Sequence, residues 1–451
     1  MGQAALCCAA PRPPPPVVAD VEGSWPYVTV SQRMVSILRS VVDTVSRDAP
    51  ALTEEAQPGG QEGVQQALRQ LEQLLQSLTA DGPLTPLTGS ADDVTMWNEV
   101  LKAVTAASKD GRAPHWHSGE WLYVECYMYR KICDILETNG VSKKYDFFHA
   151  QKAESFESSI KAAYDLSVWT LGDVFSGTKL SPTRVQEAFQ NLMLVCLWGN
   201  KNDLSLSGGR QVSQDESPLS QLPILAQFLL VDDHQRVLSY LSDLRKQQRD
   251  IRVDFVCDNA SFELFSDLCL ADFLCAYLLA NRVTFHVKAL PWFVSDTTRP
   301  DVAWLLKRMQ RDRQGPALPA LAARWKQRFD AGQWSLASDP FWTSPFPFRR
   351  MRQEAASLYR QLENADLVIV KGDLNYRKLV GDRRWPLQTP LCRAMEGFHP
   401  APVAALRVLK ADLAAGLPRA AVRRAQQMDP DWMTGGRFAV IQFCTQVPPL
   451  D

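Results

Sequence analysis

Through the first half of the chain, apolar residues return every three or four positions. Val64, Leu68, Leu71, Leu75 and Leu78 keep this spacing after the Pro58–Gly60 breaker, which predicts an amphipathic helix. The stretch Trp121–Arg130 is aromatic on every side, too apolar for a surface helix, and predicts a helix central to a bundle. Residues 181–198 predict another amphipathic helix, ending in the loop Trp198–Ser205. From about Leu222 short apolar runs alternate with helical stretches, the signature of a mostly parallel sheet. Strands are expected at 252–257, 283–289, 366–370, 402–408 and 437–443, and a helix over 261–280 that is apolar nearly all round and packs on the sheet. Residues 300–360 read as a helical insertion whose Trp304, Trp325, Trp334, Trp342 and Phe341–Phe348 form either its core or a lid.

The division that follows is a Pro- and Ala-rich disordered tail (1–24), a helical domain (25–207), a flexible connector (208–221) and an α/β domain (222–451). A chain of 451 residues is long enough for more than one domain. A net charge of −1 argues against nucleic acid or an anionic membrane held by bulk electrostatics. No apolar run reaches transmembrane length and the start lacks a secretory signal. Ten scattered cysteines without a CxxC pair read as reduced small hydrophobes, which points to the cytoplasm, with the nucleus as a further compartment. The opening leaves lipidation at Gly2 or at Cys7 and Cys8 as an alternative to a plain tail, although Leu6 stands where that motif wants Ser or Thr.

Candidate chemistry collects at the expected strand ends. In an open α/β sheet the loops beyond the carboxyl ends of the strands form the ligand crevice. Asp258 and Asn259 follow the run Ile251–Cys257, Asp296 lies in Pro291–Thr298 after the next strand, and Asp373 follows Asp366–Val370. Oxygen donors gathered there suit a hard divalent cation such as Mn²⁺ or Mg²⁺, and Asp258, Asn259 and Asp296 form half a coordination shell. Taken singly, Asp258 and Asn259 are equally well read as a strand-end turn and helix cap. Gly372 permits close backbone approach to an anion, and Lys371, Arg377, Lys378, Arg407 and Lys410 supply positive charge. Lys410 opens Ala411–Ala415, expected to be helical, where terminal amides would help hold a phosphate. Metal and basic clamp together suggest phosphoryl chemistry, with Lys371 or Lys410 stabilising charge and Asp258, Asp296 or Asp373 orienting water. No GxSxG elbow, Walker A loop or HExxH motif competes.

The strings Trp121–Arg130, Leu197–Ser207, Asp258–Leu264, Pro291–Thr298 and Lys371–Leu379 resemble the damage-control phosphatases, in particular their eukaryotic sugar-phosphate phosphatase branch, also called acidic residue methyltransferases. The resemblance runs from about Trp25 to the C-terminus. It implies a Rossmann-like α/β/α three-layer domain preceded by an all-helical domain, and metal-dependent hydrolysis of fructose 1-phosphate or fructose 6-phosphate. Mn²⁺, Ni²⁺ or Co²⁺ would serve as cofactor. By position it assigns Asp258, Asn259 and Asp296 to the metal, and Asp258, Asn259, Lys371, Gly372, Asp373, Leu374, Asn375, Arg377 and Lys410 to the substrate. Arg407–Lys410 reads Arg-Val-Leu-Lys where the family has Arg-Thr-x-Lys, which bears on substrate preference. The branch also implies carboxyl methylation of a protein substrate, with Glu263 and Asp296 at S-adenosylmethionine positions. The chain has no GxGxG cradle for that cofactor.

Overall fold

A computed structural model describes residues 12–55, 60–175, 180–199 and 218–445. Gly2, Cys7 and Cys8, most of the loop Trp198–Ser205 and the first part of the connector lie outside the described residues. The described part before residue 200 is helical. Within it Trp121–Thr138 is buried on nearly every face, and even Glu125, Arg130 and Asp134 are enclosed. Gly60–Thr79 turns Val64, Ala67, Leu71, Leu74 and Leu78 inward. Of the segment expected to be a disordered tail, residues 12–24 are described and partly fixed. Val17 is buried, its amide donates to the Asp382 carbonyl, and its carbonyl accepts from the Trp121 amide.

The α/β part is built on a seven-stranded sheet: β1 (Leu229–Asp232), β2 (Arg252–Val256), β3 (Arg282–His286), β4 (Trp334–Ala337), β5 (Leu367–Lys371), β6 (Val403–Val408) and β7 (Ala439–Cys444). The order across the sheet is β1-β7-β6-β5-β2-β3-β4, and every neighbouring pair is parallel except β6 with β7. The sequence expectation missed β1 and β4, each of four residues at a sheet edge and too short to show a period. The strands of the middle read as apolar runs because helices cover both faces. One cover is Ser261–Ala276, buried on all sides as expected, with Glu263, Ser266, Asp267 and Asp272 inside it. The insertion supplies two helices, Arg299–Gln310 and Ala317–Asp330, and edge strand β4. Trp325, Trp334 and Trp342 are core residues and Trp304 is half-buried against it, so these aromatics form no lid.

Two further expectations are corrected. Ala411–Ala415 is not helical, so Lys410 opens no helix of its own. Cys392 and Cys444 are joined by a disulfide, whereas the other described cysteines are buried free thiols. No described helix is long and apolar enough to cross a membrane.

Candidate active site

Chain direction across the sheet reverses between β2 and β5. From β2 the order runs outward to β3 and β4, and β5 returns on the other side to lead to β6. Such a switch point opens a crevice at the carboxyl ends. Here it is a cleft of about 450 Å³ whose floor includes Asp258, Asn259, Glu263, Asp296, Gly372, Asp373 and Lys410. The helical region supplies the opposite wall, with Trp25, Arg33, Trp121, Glu125 and Lys152.

Backbone pairing brings Asp258, Asn259 and Asp296 together. The Thr297 amide donates to the Asp258 carbonyl and the Ala260 amide to the Ser295 carbonyl, both at 2.7 Å. The loop between β3 and Asp296 is strained, with Phe293 and Val294 at φ 44° and 71°. A branched residue in the left-handed region costs about 1–3 kcal/mol, and such strain concentrates where function needs it. Tyr129 of the buried helix stacks on Phe293 at 4.7 Å and supports the loop from behind. Gly372, at φ 85°, closes against Asp258: a Cβ there would sit 1.9 Å from Asp258 Oδ2.

The acidic side is left in electrostatic conflict. Asp258 has its pKa pushed well above the usual carboxylate value by burial, then by the charges of Glu263 and Asp296, against the pull of Lys288 and Lys410. Burial likewise pushes Asp296 up to about 6 although Lys288 opposes it. The Lys288 ammonium lies 3.2 Å from Asp296 Oδ2 but is poorly aligned, so that buried oxygen accepts no hydrogen bond. Lys288 instead donates to the Cys257 carbonyl and Asn375 Oδ1.

The basic side is closed. Asp373 accepts from Arg407 Nε at 2.7 Å and from the Lys410 amide at 3.1 Å. Burial would raise the Asp373 pKa, but Arg407 and then Arg377 outweigh it and hold the carboxyl below its usual value. Arg377 lines the cleft but is bound to Asp382 and Glu125 and lies 3.5 Å above the Trp121 ring. Lys378 points away, donating to carbonyls of Phe341, Trp342 and Ser344. Lys371, expected to meet a phosphate, is wholly buried and bound to Glu263 and Asp267. Asn375 is buried too, donating to the Cys257 and Lys371 carbonyls. Within the expected substrate loop, therefore, Gly372, Asp373 and Leu374 face the cleft while Lys371 and Asn375 brace it. Lys410 is half-buried and lines the cleft.

Sequence reasoning did not find Lys288, Lys152 or Arg33. Lys288 carried a signal, a lysine within the apolar run at the end of β3. Lys152 donates to the Asp296 carbonyl and pairs with Asp146 and Asp301. It and Arg33 are remote in sequence and carried none.

A model of the damage-control phosphatase ARMT1-like domain matches residues 29–425. The chain belongs to this family. It is 40% identical over 435 residues to the damage-control phosphatase ARMT1 of Danio rerio, covering 96% of this chain and 97% of that protein. The Xenopus laevis protein of the same name is 40% identical over 439 residues, covering 96% of this chain and all of that one. The Homo sapiens one is 35% identical over 426 residues, covering 93% and 96%. A solved DUF89 family protein from Pyrococcus horikoshii aligns at a TM-score of 0.39 and 16% identity, over 80% of this chain and 92% of that one. Membership supports a metabolite-repair phosphatase role for the chain.

Among the described residues no three His, Cys, Asp or Glu side chains are grouped to hold a metal by themselves. A cation site would need the Asn259 amide oxygen beside Asp258 and Asp296, an all-oxygen set of the kind hard cations take. Two observations fit: the mutual repulsion of buried carboxylates, and the Asp296 oxygen met only by the misaligned Lys288 ammonium.

Proposed function

We propose that the chain is a divalent-metal-dependent phosphatase of reactive sugar phosphates, the fructose 1-phosphate and fructose 6-phosphate class. The observation that carries this is the buried acidic cluster, only partly offset by Lys288 and Lys371, facing Gly372 and Lys410 across one cleft, in a chain of the damage-control phosphatase family. Asp258, Asn259 and Asp296 would hold Mn²⁺, Co²⁺, Ni²⁺ or Mg²⁺. When bound, such an ion polarises a phosphoryl oxygen and makes water a better nucleophile near neutral pH.

The chain's own residues do the rest. Gly372 lets the phosphoryl group approach the backbone, where a side chain would collide with Asp258. Lys410 is the cation placed to offset charge on the equatorial oxygens, since Lys371 is enclosed. Asp373 fixes the segment that carries Lys410 through its amide and through Arg407. Because Asp373 is committed to Arg407 and the Lys410 amide, the water-orienting role falls to Asp258 or Asp296.

The alternative, S-adenosylmethionine-dependent methylation of a protein carboxylate, gains no support here. Glu263 spends one oxygen on Lys371 and the other on Asn259, and is buried. The deciding experiment is phosphate release from fructose 1-phosphate by metal-stripped protein, with and without Mn²⁺. Turnover that needs the metal is expected. Its absence with every divalent ion tried, in folded protein, would sink the proposal.

A further inference from the structure

Behind the cleft runs a buried series of polar contacts. Asp267 Oδ1 accepts from Lys371 Nζ at 2.6 Å, and the same ammonium donates to Glu263 Oε1 at 2.9 Å. Glu263 Oε2 accepts from Asn259 Nδ2 at 2.7 Å, and that nitrogen also donates to Asp258 Oδ2 at 2.7 Å. Asn259 Oδ1 is thereby turned the other way, towards the Ser295 hydroxyl. The side chains of Asp267 and Lys371 are each about 1% exposed, so neither meets a substrate.

The polarity of this series is forced. An ammonium only donates, and a carboxylate paired with it only accepts, so Glu263 presents an acceptor to Asn259. An amide has two nearly isosteric ends of opposite polarity, and one orientation satisfies Glu263. Turned over, Asn259 would set its oxygen against two carboxylate oxygens and leave them without that donor, which a buried acceptor disfavours.

We infer that Lys371 and Asp267 are positioning residues: through Glu263 they hold the Asn259 amide with its NH₂ on Asp258 and its oxygen on the Ser295 side, so that oxygen and not NH₂ is left to meet a cation. This rests on the metal-dependent reading above. It gives Lys371 a role in place of phosphate binding, and Glu263 a role in place of cofactor binding. Partners one contact removed from a ligand commonly tune affinity in this way.

The test is direct Mn²⁺ binding to metal-stripped protein, measured from the free-ion EPR signal and independent of turnover. In Glu263→Gln the donor-only Lys371 claims the new amide's oxygen. Its NH₂ then faces Asn259 and drives that amide to flip. Mn²⁺ affinity is expected to fall about 10- to 100-fold. In the triple variant Glu263→Gln, Asp267→Asn, Lys371→Met nothing claims that oxygen. The new amide then turns its oxygen back to Asn259, and affinity recovers about tenfold relative to the single variant. A purely structural role predicts no such rescue. Wild-type affinity in Glu263→Gln, or a triple variant no tighter than the single one, overturns the inference. Failure of the wild type itself to bind Mn²⁺ overturns the metal-dependent reading, and the inference with it. Should Glu263→Gln not fold, the wild type decides: protection of the Asn259 side-chain NH₂ from solvent exchange supports the inference, and free exchange overturns it.

Discussion

The two sides of the cleft handle charge in opposite ways. Beyond β5 and β6, Arg377 is matched by Glu125 and Asp382, and Arg407 by Asp373, each through charge-assisted hydrogen bonds. Beyond β2 and β3, Asp258, Glu263 and Asp296 crowd together, and burial with like charge raises the first far above its ordinary range. That conflict is costly, because a buried carboxylate only partly relieved by Lys288 and Lys371 costs free energy that packing must offset. On the balanced side the paired arginines are scaffold, while Gly372 and Lys410 face the cleft.

The largest expected effect comes from removing the centre of the conflict. Asp258→Ala should lower metal-dependent phosphate release by about a thousandfold, since the loss of one interaction made mainly in the transition state is worth about 4 kcal/mol. Its unfolding temperature should match or exceed the wild type's without metal. Substantial turnover in this variant would remove Asp258 from the site.

Breaking the balanced side should do the reverse. Arg377→Met leaves Glu125 and Asp382 buried without their counter-charge and should cost about 3–5 kcal/mol in denaturant unfolding. An unchanged midpoint would show that the pairing is dispensable.

Gly372→Ala tests the seam between the sides. It combines a left-handed backbone with a Cβ 1.9 Å from Asp258 Oδ2, so stability should fall by at least about 1 kcal/mol. Activity should fall more steeply than stability, because Asp258 must move. The opposite ranking would place Gly372 outside the site.

The smallest effect is in pH. Burial pushes Asp296 up to about 6 from its ordinary 3.8, and Asp258 too is raised well above its ordinary value. Between those values the folded chain holds protons that the unfolded chain releases, so without metal this cluster's contribution to stability declines as pH rises through the window. A bound cation relieves the conflict only once the acids are ionised. The gain in unfolding temperature on adding Mn²⁺ should therefore be larger at pH about 7 than at about 5. A thermal-shift series showing a flat or inverted trend would contradict the assignment.

The acidic side was legible because residues just beyond a parallel strand have one place to go. Once Ile251–Cys257 reads as a buried strand, Asp258 and Asn259 fall at the crevice, and Asp296 beyond β3 joins them. Lys371 misled for a related reason: it is still the last residue of β5, and a strand residue projects onto a sheet face. That face is covered by Ser261–Ala276, where Glu263 and Asp267 receive the ammonium.

What the sequence determined by itself was the alternation of strand and helix, the mostly parallel sheet and the acids at its strand ends, since these depend on local periodicity and chain direction. Tertiary structure alone decided which charges are matched and which are left in conflict, that Lys371 faces inward, and that the helical region walls the cleft with Trp25 and Arg33. Those outcomes depend on contacts between residues more than a hundred positions apart, such as Lys371 with Asp267 and Arg377 with Glu125, and no local pattern encodes them.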